Sequence, residues 1–292
     1  YGVVGADNRL KHYIPVPLAG PRLPHDMAFT RNYAIVNDMP LYWNPELLER
    51  NLHVVQFHPD QKTRFGIIPR MGQPEDIRWF EAEPTYTLHW LNAYEEGDEI
   101  VLDGYFQEEP QPKSHPDAPD GLERMMAYLS QGLMKPRLHR WRFDLKTGKT
   151  TEQRLDDRDL EFGMINQKFA GRKNRYAYSA VPEPYWFLFT GLVKHDLETG
   201  SSEEIDFGPG RYGSESPFAP RIGATDEDDG YLVSFIADVE NDRSECVLID
   251  AKRFSEGPVC RIVLPERFCS GTHSVWANGD DIGMGPNTVL AA

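Results

Sequence analysis

Short runs of β-branched and aromatic residues, bounded by glycine, proline or charged turn residues, recur along the chain. Such runs predict β-strands, because these side chains fit a pleated, half-buried surface. The 24 glycines and 23 prolines are spread evenly, which is typical of many short strands joined by turns. The predicted strands are 33–37, 54–57, 99–102, 176–180, 231–236, 246–249 and 260–264.

A strand–turn–strand pattern repeats at intervals of about fifty residues. The turn Asp-Leu-x-Thr-Gly occurs at Asp144 and again at Asp196, and a related hairpin contains Asp250. Upstream, hairpins of the same character are predicted around Asp7 and Asp60. This period is typical of a blade of four antiparallel strands, so it favours a β-propeller over unrelated hairpins in a β-sandwich.

The interval between the repeats at Asp60 and Asp144 is too long for one blade, which predicts a loop and helix insertion at 107–137. Within it, apolar residues at helical spacing predict one helix. That helix would be a lid over a substrate entrance, an apolar patch in peripheral contact with a membrane, or an ordinary surface helix packed on the propeller. The apolar residues are Leu122, Met125, Met126, Leu129 and Leu133.

The composition excludes several classes of protein. Of 292 residues 40% are hydrophobic, which fits one globular domain over 1–292, and no apolar run reaches the length of a transmembrane helix. The net charge of −15, without a basic cluster, argues against a nucleic-acid partner. Because the chain starts inside a predicted strand at Tyr1, we expect the natural polypeptide to extend further upstream.

Three cysteines, Cys246, Cys260 and Cys269, form no CxxC pair. An odd number of thiols predicts reduced cysteines in a reducing compartment, so we expect a cytoplasmic protein. The simplest expectation for each thiol is a small buried apolar side chain.

Three of the nine histidines have apolar neighbours and are expected to be buried: His25, His89 and His273. No HExxH, HxH or HxxxH pair occurs, so a metal site would need ligands from distant strands. A propeller can supply them, because the innermost strand of each blade lines the central axis. The alternative is that each is a hydrogen-bonded core histidine. No function is assigned to the other six: His12, His53, His58, His115, His139 and His195.

Two glutamates, Glu161 and Glu215, lie among glycine, serine and phenylalanine. A carboxylate in such surroundings needs a strong partner, because burying it alone is costly. One candidate partner is the second N–H of a metal-bound histidine. The alternative is a salt bridge to Arg172, Arg211 or Arg221.

At these residues the sequence resembles the carotenoid cleavage oxygenase family. Segment 25–33 (HDMAFTRNY) is similar to the family's HDFAITENY, and 89–97 (HWLNAYEEG) is similar to FHxxNAYEEG. Residues 161–176 resemble EFPRIN…GRxxRY, 210–215 resemble the GxxGSEPVFVPR segment, and 227–232 resemble EDDGYLL. Several motifs in family order make this a specific signal.

The resemblance implies an all-β, seven-bladed β-propeller capped by loops and a helical dome, with one Fe(II) held on its axis by four histidines. His25, His89 and His273 would be three of these ligands. Glu161 and Glu215 would orient His89 and His273, respectively. The fourth histidine, and a further glutamate, would lie upstream of Tyr1, so the propeller would be N-terminally incomplete.

The implied reaction inserts both oxygen atoms of O₂ across an electron-rich, conjugated C=C bond and gives two carbonyl products. The substrate would be a hydrophobic stilbenoid or apocarotenoid, and the GTHSVWA sequence around His273 favours the bacterial lignostilbene-type branch. Trp90, Phe218 and Trp276 are candidate tunnel walls, with core packing as the alternative.

Two other functions compete with the oxygenase. A non-catalytic propeller that only binds a ligand would pair the side chains around His25 and His89 with protein groups alone. An iron-dependent isomerase or hydrolase would use the metal as a Lewis acid and consume no O₂. Two prolines of the family motifs are also replaced, by Gly163 and Ser216, which alters the local turns.

Overall fold

Four antiparallel sheets of four or five strands follow one another along the chain. They are seen in a computed structural model that describes residues 1–52, 54–111, 130–269 and 271–283. The described residues are mostly β, with one short α-helix and a few turns of 3₁₀-helix.

The N-terminal part contains a hairpin, the first large sheet and a second hairpin. Its elements are β1 (Gly2–Val4), β2 (Leu10–Tyr13), β3 (Ala28–Phe29), β4 (Tyr33–Asp38), β5 (Leu41–Trp43), α1 (Pro45–Glu49), β6 (Val55–Phe57), β7 (Thr63–Pro69) and β8 (Arg78–Ala82). Strands β1 and β2 pair with each other, and so do β5 and β6. The first large sheet has the order β3-β4-β7-β8.

Three further sheets follow in sequence. The second contains β9 (Trp90–Glu96), β10 (Glu99–Gln107), β11 (Pro136–Asp144) and β12 (Thr150–Arg154). The third contains β13 (Glu161–Met164), β14 (Tyr176–Pro182), β15 (Phe189–Asp196) and β16 (Ser201–Asp206). The fourth contains β17 (Arg211–Tyr212), β18 (Phe218–Pro220), β19 (Gly230–Asp238), β20 (Arg243–Asp250) and β21 (Pro258–Val263). The 3₁₀-helices are Pro74–Asp76, Gln131–Met134, Gln167–Phe169, Ala251–Glu256 and Gly279–Ile282.

The seven predicted strands all coincide with observed strands, but one predicted hairpin is wrong. The segment around Asp60 was expected to pair β6 with β7. Instead β6 pairs with β5, while β7 pairs with β4 and β8. Strand β7 is largely buried, so it takes a central position with a neighbour on each side, whereas β6 is only partly buried.

The repeated Asp-Leu-x-Thr-Gly turn has the same construction in two sheets. The Oδ1 atom of Asp144 accepts the N–H of Lys146 and Thr147 at 2.7 and 2.9 Å, and Gly148 has a φ of 74°. Asp196 likewise accepts two backbone N–H groups, and Gly200 has a φ of 76°. Aspartate therefore closes the turn, and glycine permits the left-handed backbone that ends it.

The hydrophobic cores lie between successive sheets. Phe65 of the first sheet packs against Trp141 and Phe143 of the second, with ring centroids 5.7 and 5.0 Å apart. A second cluster joins Leu91 and Tyr105 of the second sheet to Val193 of the third, and a third cluster joins the third and fourth sheets. Each sheet therefore packs face to face against the next.

The cysteines and the predicted helix differ in how far the structure describes them. The cysteines are free, as expected, but Cys260 and Cys269 are exposed and Cys246 is half-buried, so the expectation of buried thiols is wrong. Cys260 lies on β21, which is the outermost strand of the fourth sheet and is mostly exposed. The predicted helix lies outside the described residues, except that Leu133 belongs to the 3₁₀-helix Gln131–Met134.

Within the part of the chain that the structure describes, no helix has the length and apolar character needed to cross a bilayer.

Candidate metal centre

Three histidines that are far apart in the sequence come together in the fold. His25 lies in the loop before β3, His89 immediately precedes β9, and His273 follows β21. Strands β3, β9 and β13 are the first strands of three successive sheets, and each contacts the next. His25 and His89 therefore meet because the first strands of neighbouring sheets lie side by side. The segment after β21 brings His273 to the same place.

The three imidazole rings surround one point. The centroid of the His89 ring lies 5.1 Å from that of His25 and 5.1 Å from that of His273, in edge-on arrangements. One nitrogen from each ring lies within 4.8 Å of the others, so a single ion can contact all three. The rings line a cavity of about 270 Å³ with Asp26, Trp90, Gly163 and Glu215.

His89 is held by a fully buried carboxylate. Its Nδ1 atom lies 2.7 Å from Oε2 of Glu161, which is 0% exposed. An Nδ1–H that donates to this carboxylate leaves the lone pair on Nε2, which is itself buried and has no hydrogen-bond partner. The Oε1 atom of Glu161 also lacks a partner. A buried lone pair and a buried negative charge next to it are what a bound cation would satisfy.

The surroundings shift the pKa values of two histidines in opposite directions. Burial alone would lower the pKa of His89, but the Glu161 carboxylate outweighs burial and raises it. Partial desolvation of its ring, together with the neighbouring His89, lowers the pKa of His25. His25 is therefore more readily neutral, which is the form that binds a metal.

Glu215 lies beside His273 in a looser arrangement. Its Oε2 atom is 3.4 Å from Nδ1 of His273 and accepts the N–H of Ser274 at 2.7 Å. The Oγ of Ser274 also donates to the backbone carbonyl of Glu215, at 2.7 Å. Glu215 thus fixes the backbone next to His273 more tightly than it fixes the ring.

The alternative of arginine salt bridges is not what the structure shows for the two glutamates. Arg211 binds Asp238 and Glu245. Arg221 instead binds Asp229 and Asp250. Among the described residues, the ion-pair partners of Glu161 and Glu215 are His89 and His273, respectively.

The expectation that all three histidines are buried is wrong. His89 is half-buried, whereas His25 is exposed and 59% of the His273 side chain is exposed. Both exposed rings line the cavity, and His273 lies on the irregular segment between β21 and the 3₁₀-helix Gly279–Ile282. Flanking apolar residues did not indicate burial here, because they belong to loops and not to strand interiors.

Asp26 was missed by the sequence analysis although it directly follows a candidate ligand. Its Oδ2 atom accepts the N–H of Trp90 at 3.0 Å, and its backbone carbonyl accepts Nδ2 of Asn37 at 2.8 Å. Trp90 follows His89 in the sequence, so Asp26 ties the loop of His25 to the loop of His89. The only sequence signal was a charged residue within an otherwise apolar segment.

The three candidate tunnel residues have different surroundings. Trp90 is buried and lines the cavity between the histidines. Phe218 is 1% exposed and stacks on Tyr178 at 5.8 Å, so it packs in the core as the alternative proposed. Trp276 is 41% exposed, and its Nε1 donates to Asn278.

A second, larger cavity adjoins the first at His25. It measures about 400 Å³ and shares His25 and Asp26 with the first cavity. The rest of its wall is largely apolar and includes Val16, Leu18, Pro24, Met27 and Val36. An apolar molecule that fills this space would lie next to the imidazole of His25.

Comparison with known proteins shows the family of this chain. The family model described as retinal pigment epithelial membrane protein matches residues 1–278. The chain belongs to this carotenoid cleavage oxygenase family. A family member, carotenoid 9,10(9',10')-cleavage dioxygenase 1 of Pisum sativum, is 34% identical over an alignment of 301 positions, gaps included, which covers 97% of this chain and 54% of that protein.

Solved structures of other carotenoid cleavage oxygenases have the same fold. Lignostilbene dioxygenase of Pseudomonas brassicacearum gives a TM-score of 0.80 at 27% identity, covering 94% of this chain and 58% of that one. Cobalt-substituted apocarotenoid oxygenase of Synechocystis gives a TM-score of 0.72 at 28% identity, covering 83% and 50%. The chain therefore spans a little over half the length of such relatives.

Proposed function

We propose that the chain forms the metal-holding part of an Fe(II)-dependent dioxygenase that cleaves a conjugated C=C bond of a stilbenoid or apocarotenoid. The observation that carries this proposal is the buried, unpartnered Nε2 of His89 within reach of nitrogens of His25 and His273. Membership of a family that contains carotenoid and lignostilbene dioxygenases supports the reaction class.

In this proposal the four large sheets are consecutive blades of a seven-bladed propeller. Two features support the arrangement: each sheet packs its face against the next, and two of the candidate ligands, His25 and His89, lie beside the first strands of successive sheets. The axis of the propeller would then pass through the cluster of histidines.

The donor set suits ferrous iron. Imidazole is a borderline ligand that binds Fe(II), and His25, His89 and His273 would hold the ion through three neutral rings. Glu161 would fix the tautomer of His89 and balance part of the positive charge, and Glu215 would do so more weakly for His273. Ferrous iron bound there would supply the activation of O₂.

The rest of the site would bind the substrate and keep its double bond in place. The apolar wall of the larger cavity fits a conjugated hydrocarbon or an aromatic ring, and Trp90 forms a rigid wall beside the ligands. Asp26 would hold the His25 and His89 loops at a fixed separation through its bond to Trp90. Fixed positions matter because small displacements of reacting groups are costly for rate.

The geometry favours the oxygenase over a propeller that only binds a ligand. That alternative requires the polar atoms around His25 and His89 to be paired with protein groups. The Nε2 of His89 and Oε1 of Glu161 are both buried without such a partner.

The test is to load the purified protein with Fe(II) and incubate it with a hydroxylated stilbene and, separately, with an apocarotenoid under ¹⁸O₂. We expect consumption of one O₂ per substrate and two carbonyl products, each carrying ¹⁸O when analysed before exchange with water. His89→Ala should abolish cleavage. Turnover without O₂ consumption would show an isomerase or hydrolase, and no turnover of either substrate would contradict the proposal.

A further inference from the structure

Phe162 has an unusual backbone for a bulky residue in a strand. Its φ is 50°, in the left-handed region that favours glycine. The other non-glycine residues with positive φ in the described ranges lie in turns or at helix ends, and they are Asn8, Asn51, Lys135 and Asp242. Phe162 is different because it lies within β13 and is 2% exposed.

A β-bulge accompanies this conformation. Glu161 pairs with Ala180 and Met164 pairs with Tyr178, so β13 contains one residue more than β14 over this stretch. Bulges of this kind turn a side chain in a new direction and are frequent next to active sites. Here the bulge turns the Phe162 ring toward the histidines.

The ring of Phe162 contacts two of the three candidate ligands. It stacks on His89 with centroids 4.7 Å apart and an interplanar angle of 28°, and it meets His273 edge-on at 5.5 Å. Behind it, Phe189 packs edge-on at 4.9 Å, and Phe187 does so at 6.0 Å. The ring is thus clamped between the apolar core and His89.

The backbone of Phe162 contacts Glu161, the carboxylate that holds His89. Its N–H donates to Oε2 of Glu161 at 2.7 Å, and this same oxygen lies 2.7 Å from Nδ1 of His89. The left-handed turn lets one residue fix both the carboxylate and the face of the imidazole. A glycine would adopt this backbone without strain, but it would offer no ring.

We propose that Phe162 is a positioning residue that sets the ring plane of His89 and the direction of Glu161 for metal binding. This role rests on the proposed function. It acts through His89 and not through contact with the substrate.

The experiment compares two leucine variants that lose the same ring from adjacent sites. Phe162→Leu removes the stack on His89, whereas Phe189→Leu removes a buried ring that, among the described residues, packs on the rings of Phe162 and Phe187 and not on a histidine. Both proteins are titrated with Co(II), and the absorption bands, the affinity and the thermal midpoint are recorded. We expect Phe162→Leu to weaken Co(II) binding about tenfold and to shift the bands, as loss of an outer support of a ligand does. Phe189→Leu should lower the thermal midpoint with wild-type bands.

Phe162→Tyr serves as the conservative variant. It keeps a ring to stack on His89 but places a hydroxyl in apolar surroundings, so it should bind Co(II) like the wild type with reduced stability. In cleavage assays Phe162→Leu should lower kcat with little change in KM, because Phe162 lines neither of the two cavities beside the histidines. Equal losses of Co(II) affinity in both leucine variants, or loss in the tyrosine variant, would overturn the role of Phe162. A wild-type protein that binds no Co(II) would overturn the proposed function and, with it, this role.

Discussion

The Nδ1 of His89 and the Oε2 of Glu161 lie 2.7 Å apart, although 72 positions separate the two residues in the sequence. The carboxylate is fully buried, and His89 is its ion-pair partner among the described residues. A carboxylate buried in this way selects the tautomer and raises the basicity of the ring that it holds. Replacing Glu161 should therefore lower the affinity for a metal more than it lowers the stability of the fold.

Glu161→Gln should weaken Co(II) binding by about 10- to 100-fold, since the amide is neutral and holds the ring less strongly. Titration followed by absorption measures this affinity. Glu215→Gln is the matched control and should have a smaller effect, because Oε2 of Glu215 lies 3.4 Å from a largely exposed His273. A larger loss in Glu215→Gln than in Glu161→Gln would show that His89 is not the best-held ligand.

The left-handed backbone at Phe162 should reverse the usual ranking of alanine and glycine in a strand. With a φ of 50°, Phe162→Gly should be more stable than Phe162→Ala by about 1 kcal/mol, the cost of this conformation for a residue with a Cβ. Urea unfolding measures the difference. At Ala177, in the regular strand β14, Ala→Gly should instead destabilise the protein. A Phe162→Gly protein that is less stable than the Phe162→Ala protein would argue against the left-handed backbone at this bulge.

Gly163 allows close packing beneath the cavity. A Cβ at this position would overlap the hydroxyl of Tyr105 and approach Cδ1 of Leu91 to 2.7 Å. Gly163→Ala should therefore lower the free energy of unfolding by about 1–3 kcal/mol. Gly271→Ala, whose Cβ would meet only Oγ of Ser214 at 3.5 Å, should be close to neutral. Equal urea midpoints for the two variants would contradict this packing.

Glu96 should contribute to stability in a defined pH range. Hydrogen bonds from Lys173 and Arg142 lower its pKa from 4.5 to about 2. Because the folded pKa is depressed, the contribution is fully present above pH 4.5 and is lost as the pH falls to about 2. Glu96→Gln should thus lower the urea midpoint at pH 7 and converge with the wild type near pH 2. A constant difference at every pH, or an equal effect of Glu49→Gln on α1, would exclude this ion pair as the cause.

Much of the fold could be predicted because its signals are local. Strands such as β10 and β19 are rich in branched and aromatic residues, and the turns at Asp144 and Asp196 are specified by adjacent side chains. The pairing of strands was harder to predict. The sequence near Asp60 contains a turn signal, but it does not specify with which strands β7 pairs. Whether a strand lies in the centre of a sheet depends on the burial of both of its faces, and that burial is a property of the whole sheet.

The site was only partly accessible from sequence. His25, His89 and His273 were selected through motifs, and the structure brings them together. Their exposure and the core position of Phe218 were not evident, because apolar neighbours in sequence do not determine what covers a loop. The roles of Asp26 and Phe162 depend on contacts with residues that are distant in sequence or on a bulge. A single sequence does not specify these contacts.

The central claim is that His25, His89 and His273 share one ion. Its most direct test is Co(II) binding by equilibrium dialysis, with absorption spectra, for the wild type and for His25→Ala, His89→Ala and His273→Ala. We expect one Co(II) per chain in the wild type and a marked loss of affinity, with altered bands, in each variant. One Co(II) per chain with unchanged affinity and spectrum in His89→Ala would contradict the claim.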